Sequence, residues 1–227
     1  MAKYKEIVSM VLDMLKVTSD DATFTEEHII FLAGRYRSFL LKQRYANDLK
    51  KQIPESNYQT ICLDLYKMSG ETCVEGAYLR STKEIPALLP AGTIRVYPTG
   101  INFSSNVEFT SADRIRYVGN NKWLQNIIYA ARGNDNHLLM KSQNPQFLYL
   151  KKATLRGIFE NAEETSDLEC DNQGNTELCD ILDRDFPLED ALIAPLIELV
   201  SKELSPSIAA PEDKSNDAND NLAQPIK

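Results

Sequence analysis

The spacing of apolar residues predicts a chain that opens helical, turns to strands and closes helical. Between residues 3 and 16, Ile7, Val8, Val11, Met14 and Leu15 share one side of a helical wheel. Lys5, Glu6, Ser9, Asp13 and Lys16 share the other, so an amphipathic helix is expected. The polar run 17–25 ends on Thr25, a good N-cap, and Glu26 and Glu27 suit the first turn of a second helix.

That second helix, expected over 26–50, is apolar on two sides. Ile29, Leu32, Ala33, Tyr36, Phe39 and Leu40 form one face, and Ile30, Phe31, Leu41 and Tyr45 lie opposite. Two basic ridges separate them, Arg35 with Lys42 and Arg37 with Arg44. A helix of this kind must bury both faces. One can meet the chain's own core; the other needs either a second layer of the same domain or a neighbouring subunit.

Ile53-Pro54 ends the helical period, because proline disfavours helical geometry in the residue before it. Ile61, Leu63 and Leu65 then alternate with Cys62, Asp64 and Tyr66, which reads as a strand. Further strands are expected at 77–80, 93–97, 107–109, 114–118, 126–131, 137–141, 146–150 and 154–160. Arg132-Gly-Asn-Asp-Asn136 suits a hairpin turn, since Gly and Asn tolerate positive φ. The region should be mostly antiparallel.

After an acidic loop, Leu192, Ile193, Leu196, Ile197, Leu199, Val200 and Leu204 predict a third helix. Pro195 kinks it if the helix begins earlier, and costs little if it stands in the first turn. The expected fold class is α+β. N-terminal helices (1–57) and a C-terminal helix (185–205) form a helical cluster, with a mostly antiparallel β lobe (58–160) between them. An acidic loop (161–184) and an extended or disordered arm (206–227) complete the chain.

Charge sharpens this division. Residues 1–160 hold 21 Lys and Arg against 16 Asp and Glu, whereas residues 161–227 hold 4 against 17. The net charge of −8 argues against gripping duplex DNA through a broad basic surface. The polar composition after Pro206 cannot bury a core, so this arm is either a dispensable end or a segment that orders on a partner. The opening residues lack the apolar region of a signal peptide, and no run is apolar and long enough to span a bilayer.

Candidate chemistry is sparse. Cys62, Cys73, Cys170 and Cys179 form no C-x-x-C pair, and His28 and His137 are the only histidines, so a zinc site is not expected. Reduced thiols are the default reading. No phosphate-binding loop, dinucleotide fingerprint, H-E-x-x-H or G-x-S-x-G is present. Asp180, Asp183 and Asp185 form either a solvated acidic loop or, less simply, a divalent-cation site. Trp123 is either a partly buried core aromatic or a contact anchor. The basic ridges on 26–50 either stay solvated or pair with the acidic third, within or between subunits. No catalytic residue, cofactor or metal is expected.

Five stretches carry a resemblance. They are Tyr4-Lys-Glu-Ile-Val-Ser-Met-Val-Leu-Asp13, Phe24-Thr-Glu-Glu-His-Ile-Ile-Phe-Leu32, Tyr36-Arg-Ser-Phe-Leu-Leu-Lys-Gln-Arg-Tyr45, Ile53-Pro-Glu-Ser-Asn-Tyr-Gln-Thr-Ile-Cys-Leu-Asp-Leu65 and the segment from Phe186 to Leu204. In these the chain resembles neck (head-to-tail connector) ring proteins of crAss-like phages. The resemblance implies a virion structural protein and no enzyme. It implies a ring of about twelve copies, closed by heterologous contacts. That ring would connect the portal to the tail, touch a neighbouring neck or tail ring, and continue a channel through which DNA passes without specific recognition or membrane contact. Assembly in the host cytoplasm and residence in the virion follow.

Ile30, Phe31, Arg35, Arg37, Leu41, Lys42, Arg44 and Tyr45 are the expected subunit interface. Leu204, Pro206, Ile208, Pro211, Asp213, Leu222 and Pro225 are the expected portal contacts. The alternatives are a small non-viral adaptor docking through its acidic arm, and an enzyme with an unusual site in the β lobe.

Overall fold

A computed structural model of the chain describes residues 2–16, 24–45, 52–68, 78–89, 94–99, 107–118, 122–168, 170 and 180–209. Its architecture is α+β: three helices at the chain ends and a seven-stranded, mostly antiparallel sheet between them.

Helix α1 (Tyr4–Lys16) buries Tyr4, Ile7, Val8, Val11 and Leu15, the face set by the apolar spacing. Only Met14 of the expected face departs, at the solvent edge of the stripe. The Glu6 carboxylate accepts from the Lys3 backbone N–H (3.0 Å), which satisfies a donor at the helix start. Helix α2 (Glu26–Tyr45) begins where expected, with the Thr25 carbonyl accepting from His28 and Ile29. Residues 46–50, placed in this helix from sequence, lie outside the described residues. Helix α3 (Ile193–Ala209) has Pro195 in its first turn, where a missing N–H costs nothing. It continues through Pro206, four residues beyond the expected end at 205.

Leu192, Leu196, Val200 and Leu204 of the C-terminal segment pack with α1 and α2 around one core. The two chain ends are also joined by backbone. Tyr4 donates to Arg184 O (3.1 Å) and Phe186 to Ala2 O (2.8 Å), while the Tyr4 and Phe186 rings meet edge-on at 4.9 Å.

The strands are β1 (Gln59–Met68), β2 (Tyr78–Glu84), β3 (Arg95–Thr99), β4 (Val107–Thr110), β5 (Ile128–Arg132), β6 (His137–Lys141) and β7 (Lys152–Gly157). Their order is β3-β7-β1-β2-β6-β5-β4, and only β4 and β5 run parallel. Strand β1 divides its pairing: residues 59–64 join β7 and residues 65–68 join β2. The free edge of its first half is filled by segment 162–168. Gln59 Nε2 donates to Ala162 O (3.1 Å) and Thr165 Oγ1 (2.7 Å). Asn136, at φ 62°, closes the β5–β6 hairpin as its composition predicted.

Two expected strands are short 3-10 turns instead. Residues 114–116 lie across the sheet with only Ile115 buried, so the alternation around it was that of one anchored turn. Residues 145–149 turn because Asn144 Oδ1 accepts from Gln146 N (3.0 Å) and Pro145 presets the next φ.

The strand directions fix where everything else stands. The start of β1 and the end of β7 abut the helices. The end of β6 and the start of β5 lie at the opposite end of the sheet.

Arg37 joins the two parts. It is fully buried, and its guanidinium donates to Pro187 O (2.7 Å), Phe159 O (2.8 Å) and Asn57 O (3.3 Å). These carbonyls stand before α3, after β7 and before β1. Burial lowers its pKa to about 10, which leaves it charged at neutral pH.

Candidate assembly surface

Helix α2 covers both of its apolar sides with the chain's own residues. Ile29, Leu32, Ala33 and Leu40 are buried, and so are Ile30, Leu41 and Tyr45. The second layer is the base of the β lobe, whose Leu89 and Ile158 join the helical core. This corrects the reading of Ile30, Arg37, Leu41 and Tyr45 as surface awaiting a neighbour. Arg37 points inward rather than along a solvated ridge, because three buried carbonyls need its donors.

Lys42 and Arg44, one from each basic ridge, pair within the chain. Lys42 Nζ lies 2.5 Å from Glu160 Oε1, and Arg44 Nε lies 3.2 Å from Glu189 Oε1. The Tyr45 hydroxyl donates to the same Glu189 oxygen (2.8 Å). Asp183 meets Lys5 (2.7 Å), Asp180 Oδ1 accepts from Leu182 N, and Asp185 bridges to Lys3 in backbone pairing. These aspartates are therefore spread over three local tasks.

Burial first, then the Glu189 hydrogen bond, push the Tyr45 pKa up to about 12. A phenol that holds its proton more tightly folded than unfolded stabilises the fold fully below its unfolded pKa of about 10. That contribution drains as pH climbs from about 10 to about 12. Tyr45→Phe should therefore flatten the decline of stability across this window. Urea unfolding at fixed pH values checks it.

What α2 leaves open is a stripe. Phe31, Arg35, Phe39 and Lys42 recur at helical spacing, with Phe31 59% and Phe39 53% exposed. Phe39 was expected on the core-facing side. It stands out because the strand-end segment 158–162 passes beside it rather than over it. Between this stripe and residues 160–164 runs a groove of about 550 Å³. Phe31, Gly34 and Phe39 form one wall, and Asn161, Ala162, Glu163 and Glu164 the other. A Cβ on Gly34 would sit 3.7 Å from Glu163 Oε1, so the carboxylate lies directly over the glycine. Burial, then the neighbouring Glu164, raise the Glu163 pKa.

Of the expected portal contacts, Leu204 is buried among the helices of its own chain. Pro206 and Ile208 are in the last turns of α3. Pro211, Asp213, Leu222 and Pro225 lie outside the described residues. Trp123 stands 81% exposed, which removes its reading as a core aromatic. The reduced-thiol expectation is corrected too: Cys62 and Cys170 form a disulfide. Their separation of 108 residues hid the pairing from sequence; the return of residues 162–168 beside β1 brings Cys170 to Cys62. Cys73 and Cys179 lie outside the described residues.

The family model for phage tail ring protein 2 matches residues 6–222. Ring protein 2 of Bacteroides phage crAss001 is 50% identical over 222 residues, which is 96% of this chain and 97% of that protein. Matches of this extent replace the non-viral adaptor reading with a structural one. Helices α1, α2 and α3, the sheet and the groove beside α2 thus belong to a virion ring protein: the chain is a member of the phage tail ring protein 2 family of crAss-like phages.

Proposed function

We propose that the chain forms a closed ring at the head–tail junction, joins portal to tail and continues the DNA channel. The observation that carries this reading is the open α2 stripe beside a groove. A folded subunit leaves Phe31 and Phe39 in water, at a place where a second copy can cover them. About twelve copies is the number the family resemblance brings. A net charge of −8 suits a wall along which DNA slides, because net repulsion from phosphate opposes the counterion release that drives tight binding.

In this reading the helical part (1–57 with 185–205) is the body of the ring, the β lobe (58–160) a second contact layer, and 206–227 an arm toward the portal. Reconstruction of the phage neck tests the reading. It expects this chain in a closed ring on the virion axis, and its location elsewhere in the particle would defeat it. Deleting residues 206–227 should leave the core folded while portal binding falls at least about tenfold, a loss of about 1.4 kcal/mol. Unchanged binding by light scattering or pull-down would remove the arm from this role.

A further inference from the structure

A closed ring of identical subunits needs two different surfaces on each copy, placed apart and matched to one another. The α2 groove supplies one. The other lies at the far end of the sheet, where three segments converge on the start of β5 and the end of β6. Lys141 Nζ donates to Arg116 O (3.0 Å). Ser142 Oγ donates to Gln125 O (3.2 Å) and Ile127 O (3.0 Å), and Asn144 Nδ2 to Asn126 Oδ1 (3.3 Å). From this welded tip Tyr117, Trp123 and Tyr149 project at 80%, 81% and 75% exposure. Rings of this size left in water are the residue types that carry protein–protein binding, and a rigid mount spares the entropy of ordering them.

We propose that copies join tip to groove: Tyr117, Trp123 and Tyr149 of one copy seat against Phe31, Gly34 and Phe39 of the next. This rests on the ring reading above and names its interface. Charge selects the occupant. Residues 114–127 and 141–151 carry five Lys and Arg and no carboxylate. Residues 160–168, on the groove's far wall, carry Glu160, Glu163, Glu164 and Asp167 and no base. Lys42 already holds Glu160, and Asn161 Nδ2 donates to Glu164 Oε1 (2.6 Å), so Glu163 and the second oxygen of Glu164 are the acceptors for Arg114 and Arg116. Arg35 on the groove carries the reverse sign, and Asp113 lies away from the tip, in a pocket with Gly133, Asn134 and Asp135 at the other ends of β5 and β6. The raised proton affinity of Glu163 is the mark of a carboxylate leaving water with another carboxylate beside it, which an incoming guanidinium would relieve. Gly34, with no side chain, lines the groove wall beneath the Glu163 carboxylate, so that carboxylate borders the place where a ring would seat.

The test is made on assembled necks. A benzophenone amino acid replaces Phe31 in the full chain, which is supplied to infected cells, and mixed isotope labelling separates links between copies from links within one. The expected product joins position 31 to a peptide from 114–124 or 145–149 of a second copy. Links to another part of a second copy, to a different virion protein, or within one chain only overturn the inference. A charge test accompanies it. Arg114→Glu with Arg116→Glu should lower the assembled fraction at least about tenfold, and Glu163→Lys with Glu164→Lys on the same chain should restore it. Circular dichroism of each variant separates lost assembly from lost folding, and no restoration by a folded quadruple variant counts against the pairing. A chain absent from every ring would instead defeat the ring reading itself.

Discussion

Arg37→Met should cost about 3 kcal/mol of folding stability, read as a lowered urea midpoint with an unchanged slope. Two effects oppose each other at this site. Removing the charge relieves a burial cost, seen in the lowered pKa of about 10. It also strands the carbonyls of Asn57, Phe159 and Pro187, each of which loses its guanidinium donor in a dry setting. A stranded buried acceptor costs about 1–3 kcal/mol, so three of them outweigh the relief. The comparison with buried ion pairs is instructive. There both charged partners can be replaced together by apolar groups, whereas backbone carbonyls cannot be removed. Arg37→Lys should recover part of the loss, since one ammonium cannot span three acceptors set in different directions. A methionine variant within about 1 kcal/mol of the parent would mean that water enters and takes over the donors.

Reduction of the Cys62–Cys170 bond should lower stability by about 2–4 kcal/mol and the melting midpoint by roughly 4–16 °C. The bond closes a loop of 108 residues that contains most of the sheet, so the unfolded chain loses much freedom to it. It also pins Cys170 to β1, just after the groove wall that carries Glu163 and Glu164. Disulfides persist on virion surfaces outside the reducing cytosol, which fits a protein that leaves its host in a particle. Thermal melts with and without reductant, with Cys62→Ser as the reference, check this. Equal midpoints would mean that Gln59 and the buried Leu168 hold the segment unaided.

The elements with strong periodicity were legible in the sequence. The α1 stripe, the start of α2, the alternation in β1 and the β5–β6 turn each depend on neighbours within a few residues. The two errors among the strands have the same origin. Ile115 and Phe147 are single buried residues in short turns, and one apolar anchor flanked by polar residues looks like alternation. The Asn144-Pro145 pair was the available signal for the second, since it starts turns.

The open stripe of α2 was only half legible. Phe31, Arg35 and Lys42 were identified from the wheel of α2 and do stand on its open stripe. Ile30, Leu41 and Tyr45 were placed with them, yet the wheel gives direction and not cover. The base of the β lobe, with Leu89 more than forty and Ile158 more than a hundred residues away along the chain, covers them. Trp123 was weighed as a contact anchor, whereas Glu163, Tyr117 and Tyr149 were not singled out, because nothing local distinguishes them from ordinary surface.

The sequence by itself determined the order helix, helix, sheet, helix and the acidic cast of its last third, because periodicity and charge are local and additive. Only the tertiary structure decided that Arg37 points inward, that Cys62 finds Cys170, and that groove and tip stand at opposite ends of the strands. Those outcomes depend on how the chain reverses and which distant backbone it leaves in need of a donor, a bond or a cover.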